Sequence, residues 1–192
     1  MKKTDFVSAF RDSVEVLKLN KAKMAEIYGN KSALMWACFI LGGPFVLNAL
    51  LISIFSSIFT GFYIRIALLP VLALACAIFL IGAVVHFGFK NKVDYLGVFR
   101  VLSYATLPMW AIVLLMIVSF VGMSGGSNFF SLITWVTWIW VIVVAYNFLI
   151  SHFKFSQQNA IIVCVVSVIG FTIIQSIIGR ILLGGYYSAM FF

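Results

Sequence analysis

Four stretches of this chain contain no formally charged side chain: residues 32–64, 66–89, 101–153 and 155–179, with lengths of 33, 24, 53 and 25. The hydrocarbon core of a bilayer is roughly 30 Å thick and takes about 20 helical residues to cross. Each stretch can therefore span it once, and the third can span it twice. The runs are continuously apolar, whereas barrel strands alternate in segments of about ten residues, so helices are predicted. Charged residues make up 9% of the chain, against about 25% in an average soluble domain. That excludes a water-soluble fold. Three Pro and three Cys, with no polar low-complexity tract, exclude collagenous, disulfide-rich and disordered classes as well.

The sequence thus predicts an all-α, polytopic membrane protein with five transmembrane helices near 34–58, 65–88, 101–122, 129–150 and 157–180. They form a membrane domain over 32–185, between an N-terminal segment, 1–31, and a short tail, 186–192. The longest run divides at Gly122-Met-Ser-Gly-Gly-Ser-Asn128, which has turn composition. The first span contains Gly42-Gly43-Pro44. A proline inside a helix frees a carbonyl and kinks the helix, and in a membrane a neighbouring helix can re-satisfy that group. A kinked full span is the expectation, and a re-entrant segment the alternative. Pro70 falls in the first turns of the second span and Pro108 about two turns into the third.

Lys and Arg collect in cytoplasmic loops. Lys2, Lys3, Arg11, Lys18, Lys21, Lys23 and Lys31 lie before the first span, Lys90, Lys92 and Arg100 between the second and third, and Lys154 between the fourth and fifth. With five spans these eleven share one side, and only Arg65 and Arg180 are on the other. The expected orientation is N-terminus cytoplasmic and C-terminus outside. The expected location is the plasma membrane of a bacterium or archaeon, with span one acting as an uncleaved anchor. The net charge of +8 is then an orientation signal, not a sign of nucleic-acid binding.

Phe6, Phe10, Val14 and Leu17 recur at helical spacing, with Asp12, Glu15 and Lys18 on other faces. Thr4 could cap the start. This reads as an N-terminal amphipathic surface helix, followed by a Lys cluster at 18, 21 and 23. Each such Lys is worth about 1 kcal/mol beside an anionic surface. In the simpler alternative the helix folds back on the membrane domain and the lysines only fix topology. Cys38, Cys76 and Cys164 all fall inside spans and read as buried, apolar-packing thiols, not as a disulfide or metal framework.

Val85-His86-Phe87-Gly88-Phe89-Lys90 and Ser151-His152-Phe153-Lys154-Phe155-Ser156 share His-Phe-x-Phe, 66 residues apart, at the ends of spans two and four. Spans two to five would then form two repeated hairpins. His86 and His152 could form a proton relay or a shared metal pair; the simpler reading is two solvated interfacial rings.

All five acids, Asp5, Asp12, Glu15, Glu26 and Asp94, lie outside the expected spans. Ion-coupled carriers commonly need a buried carboxylate, and no metalloprotease helix, phosphate-cradling loop or base-bearing triad is present. The expectation is a protein that is not an enzyme and carries no cofactor or metal. Asn147, Gln175 and Arg180 are the residues available to line a polar path if the chain is instead a small transporter or channel acting as a homo-oligomer.

Arg100-Val-Leu-Ser-Tyr104-Ala-Thr-Leu-Pro108, a Tyr-Ala-x-x-Pro element at the start of the third span after a basic loop, resembles the Yip1 domain. The five-span order and a fourth span ending in His152 are similar too, over about Phe6 to Leu183. Tyr104 and Pro108 are the structural residues of that motif. The loop Asn91–Gly97 is less Gly-rich than is usual in the family, and Asn159 stands where a basic residue often precedes the fifth-span Ala160. The resemblance implies a membrane organiser related to trafficking proteins. The family's GTPase association belongs to a long N-terminal region for which only about 31 residues are present here, so it is not carried over. The expected contact surface comprises Lys18, Lys21, Lys23, Lys90, Lys92, Arg100, His86, His152 and Lys154. Its partners would be anionic lipids, other membrane proteins or a second copy of the chain.

Overall fold

The computed structural model describes residues 5–55, 60–120 and 126–183. They form eight α-helices: α1 (Phe6–Leu17), α2 (Lys21–Gly29), α3 (Leu34–Phe55), α4 (Thr60–Ala83), α5 (Tyr95–Tyr104), α6 (Trp110–Phe120), α7 (Gly126–His152) and α8 (Gln157–Leu183). No strand occurs among the described residues. Four helices are long and apolar enough to cross a membrane, and a fifth span follows if α5 and α6 are taken together. α8 shows why the solvent must be lipid. Nine of its large aliphatic side chains are exposed, Ile161, Val165, Ile169 and Ile181 among them, as expected of a helix that is apolar all round. The Arg65 side chain, the turn residues Gly122–Gly125 and the tail 186–192 lie outside the described residues.

α3 runs through Pro44 without a break. The missing N–H of residue 44 would orphan the carbonyl of Ile40, one turn earlier. The Trp110 indole Nε1–H donates to that same oxygen at 3.2 Å. Gly43 makes the approach possible: a Cβ there would lie 2.6 Å from Trp110 Cζ2. The Gly-Pro pair is thus a notch for an aromatic donor from α6.

The stretch expected to hold the third span is broken into two helices. α5 begins at Tyr95, and a bend of 47° separates it from the segment after Leu107. Pro108 sits at the head of a 3-10 turn, Leu107–Met109. Ala105 and Thr106 close back on Leu102 and Ser103 at 3.1 Å each, and the Thr106 hydroxyl also donates to the Ser103 carbonyl at 2.7 Å. These tight turns satisfy the carbonyls that a proline-ended helix would leave open. Tyr104 and Pro108, the family-motif residues, therefore mark the break.

The arrangement of spans differs from two simple sequential hairpins. The most extensive helix contact pairs α4 with α8. Gly170 permits it, since a Cβ there would strike Leu80; small residues let membrane helices approach closely. α3 packs on α4, α5 and α6. Cys164 is buried, but Cys38 and Cys76 are exposed on their helices, so two of the three thiols face outward instead of packing in the core.

α1 starts at Asp5, not at Thr4: the Ser8 N–H donates to Asp5 Oδ1 at 2.7 Å and the Asp5 N–H to Ser8 Oγ at 2.9 Å. This reciprocal pair is a capping box, and the Ser8 hydrogen bonds hold the Asp5 carboxyl below its ordinary pKa. The buried face of α1 is Ala9, Ser13 and Val16, whereas Phe6, Val7 and Val14 are exposed. The helix lies on the bundle by its small residues and turns its bulky apolar ones outward. Phe6 and Phe10 also form ring contacts with Trp36 and Trp110.

Replacing Gly43 by Ala should force the Trp110 ring out of its notch and unmake the Ile40 bond, costing about 1–3 kcal/mol as overpacking does. Thermal unfolding of the detergent-solubilised chain will register this as a lower midpoint, with Gly42→Ala, which has only an ordinary contact with Val71, as the neutral control.

Candidate functional site

The three charge-bearing segments, residues 5–31, 89–94 and 153–156, meet at one end of the bundle. Tyr28 of α2 lies against His152 at the end of α7, with ring centroids 4.2 Å apart, and the Asp94 N–H donates to Tyr28 Oη at 2.8 Å. Phe89 meets Phe155 at 4.8 Å.

Arg100 organises this end. It is 2% exposed, so its place is the interior and not the open basic surface expected for it. Its Nε donates to the Ile27 carbonyl at 3.2 Å, and its Nη2 donates to the Tyr28 carbonyl and to Asp94 Oδ2, the latter at 2.8 Å. The two carbonyls belong to the last turn of α2, where helix geometry leaves carbonyls short of donors; that of Ile27 also accepts the Asn30 N–H at 3.2 Å. The guanidinium thus caps α2 and neutralises Asp94 from one buried position. Trp140 does the same for α1: its Nε1–H reaches the carbonyl of Leu17, the last helical residue, at 3.2 Å. Gly97 completes the joint, because a Cβ there would lie 2.6 Å from two ring atoms of Tyr28. Burial pushes the Tyr28 phenol above its ordinary pKa.

The two histidines have different surroundings. His86 is exposed, in a π-helical turn at Val84–Gly88, with Nδ1 3.0 Å from the Asn91 carbonyl. His152 stacks on Phe148 at 5.1 Å and packs on Tyr28. No ring contact or hydrogen bond joins the two among the described residues. The two helix ends share a backbone closure. Lys90 and Lys154 adopt left-handed φ values of 56° and 57°. Each is followed by an N–H that reaches back six residues, Asn91 to Val85 at 3.4 Å and Phe155 to Leu149 at 3.3 Å. These ends correspond at a spacing of 64 residues, not the 66 of the His-Phe-x-Phe match, which sets His86 opposite Ile150.

Every acid is already engaged. Glu15 pairs with Lys18 at 2.9 Å, Asp12 and Glu26 with Lys23 at 3.2 and 2.7 Å, and Asp94 with Arg100, while Asp5 caps α1. The Asn20 and Lys18 hydrogen bonds lower the Glu15 pKa, and the contacts with Glu26 and Asp12 raise that of Lys23. Lys23 therefore fastens α2 to α1 through Asp12, whereas Lys18 pairs within the end of α1. Lys21, Lys90, Lys92 and Lys154 are exposed and have no ion pair among the described residues. Lys21 and Lys154 share a cleft of about 300 Å³ with Ala25, Ile150, Ser151 and His152.

The residues considered for a polar path are not brought together. The Asn147 amide N–H donates to its own helix at Val143, 2.9 Å away. Asn147 lies five residues before the end of α7 and Gln175 eighteen after the start of α8; at 1.5 Å per residue these depths differ by about 20 Å. Arg180 is exposed near the far end of α8. Gln175 lines an apolar groove of about 570 Å³ among α4, α7 and α8.

Tyr28, Asp94, Gly97 and Phe148 were missed by sequence reasoning. The partners of Arg100 on α2 are 72 and 73 residues away, beyond any local pattern. Only the lone acid Asp94, six positions before an Arg at the edge of an apolar run, hinted at a pair.

Arg100→Leu should lower stability by about 3 kcal/mol, the low end for breaking a buried pair, since the half-exposed Asp94 can rehydrate. Arg100→Lys keeps the charge but cannot serve three acceptors with one planar fork, and should fall between. Thermal melts of the purified variants check the order wild type, Lys, Leu.

No curated protein and no solved structure matches the chain. The family model described as Yip1 domain matches residues 15–178, from the end of α1 to beyond Gln175 in α8, and the Tyr104–Pro108 break falls inside it: the chain belongs to the Yip1 domain family of multi-pass membrane proteins.

Proposed function

We propose that this chain is a five-span membrane organiser, without enzymatic activity, that gathers anionic lipids or lipid-bound partners at its basic end. The observation that carries the reading is the charge balance there. Three cations are held by four acids, while Lys21, Lys90, Lys92 and Lys154, together with Arg11 and Lys31, remain exposed without an ion pair among the described residues. Lysines near an anionic leaflet each gain about 1 kcal/mol, so four of them give a selective, salt-sensitive attraction. In this reading the basic end is cytoplasmic, following the Lys and Arg bias, and the membrane is a plasma membrane. α1 lies in the interface with Phe6, Val7 and Val14 towards the acyl chains. α5 and α6 make the third span, bent so that its first part packs with α2 at the interface.

Reconstitution in mixed vesicles tests this. The wild-type chain should enrich anionic over zwitterionic lipid in its annulus. The Lys21/Lys90/Lys92/Lys154→Gln variant should lose most of that enrichment, as should the wild type at high salt. Unchanged enrichment in the variant would overturn the organiser. So would a solute flux abolished by Gln175→Leu, which would establish transport instead.

A further inference from the structure

We propose that the cleft between α2 and the end of α7 is a discrete binding site for a phosphate group. The inference rests on the basic-end reading above and narrows it from a diffuse attraction to one site. Lys21, Ala25 and Tyr28 are spaced four and three residues apart, which puts them on one face of α2. That face meets α7, since Tyr28 packs on His152 with centroids 4.2 Å apart. The packing draws Lys21 into the same cleft as Lys154, beyond the end of α7. Two like charges in one small cleft repel, and every acid among the described residues is already used elsewhere, four in ion pairs and Asp5 in a helix cap. The charge that would offset them has to come from outside the chain.

The other walls suit a phosphate. The Ser151 hydroxyl donates to the Phe148 carbonyl at 3.3 Å, which leaves the two ammonium groups and the His152 ring as the donors of the cleft. The His152 imidazole is held in place by Phe148 and Tyr28 and offers a ring N–H. α8 starts just after Lys154 with Gln157, Gln158 and Asn159 and has no acid in its first turn, so nothing there competes for the cations. Ala25 and Ile150 give an apolar wall against which a glycerol backbone or acyl chain can lie. The cleft, of about 300 Å³, is open on one side, so a phosphate held in it can extend its attached glycerol outwards. Two ammonium groups match one phosphate diester or monoester as charge-assisted donors.

Native mass spectrometry of the full chain in detergent tests this, with phosphatidylglycerol as the probe. One molecule should bind saturably. Lys21→Gln/Lys154→Gln should weaken binding at least tenfold, while Lys31→Gln, which removes one charge outside the cleft, should change it less than twofold. Release of the lipid by millimolar inorganic phosphate or glycerol 3-phosphate would support a soluble phosphate as the ligand, and retention a lipid headgroup. All substituted lysines are exposed, and unchanged melting temperatures will show that the variants fold. Equal binding by the double variant, or by a sulfonate-bearing anionic lipid, would overturn the site. Anionic enrichment in vesicles that is lost in the fourfold variant but kept in full by the Lys21→Gln/Lys154→Gln variant would overturn the site and leave the organiser standing. Phosphate competition at the cleft without anionic enrichment would do the reverse.

Discussion

A guanidinium ion with 2% exposure holds the basic end of this protein together. Burying such a charge costs several kcal/mol unless its donors are satisfied. Arg100 satisfies them with one carboxylate and two carbonyls from the end of α2. That bond set fixes where α2 lies, and with it the contact of Tyr28 with His152 and the position of Lys21. The charge is retained inside the fold because the ends of α2 and the acid at Asp94 need donors as much as Arg100 needs acceptors.

The same requirement recurs at two other points. A bilayer offers no water to an exposed carbonyl, so each must find a donor in the protein. The carbonyl freed by Pro44 is met by Trp110, and the last carbonyl of α1 by Trp140. In all three cases a long side chain from an apolar helix reaches a backbone oxygen in a distant segment. These contacts dock the N-terminal helices on the spans and explain why a chain so poor in polar residues places its Trp and Arg where it does.

The long apolar runs were readable as helices because span length and hydropathy are local properties. The meeting of the three basic segments was readable from charge bias. The Pro44 carbonyl could be expected to find a partner, but not which one, since Trp110 is 70 residues away. The start of α5 at Tyr95 was not legible because Arg100 was taken as a boundary. A charge marks the edge of a span only when it is solvated, and this one is paired through contacts that no sequence window contains. The cleft was half legible: Lys21, His152 and Lys154 were all named as surface residues, but their grouping depends on Tyr28. The shared left-handed closures at Lys90 and Lys154 do not follow the register of the His-Phe-x-Phe match, because backbone conformation is not written in a Phe-rich motif.

The account stands on Arg100 as the tie between α2 and the spans. Hydrogen exchange of the wild type and Arg100→Leu in lipid nanodiscs, followed by segment, measures that tie directly. The expected result is faster exchange in Lys21–Gly29 and around Asp94, with α4 and α8 protected as before. Exchange that rises uniformly along the chain, or leaves α2 unchanged, would contradict it.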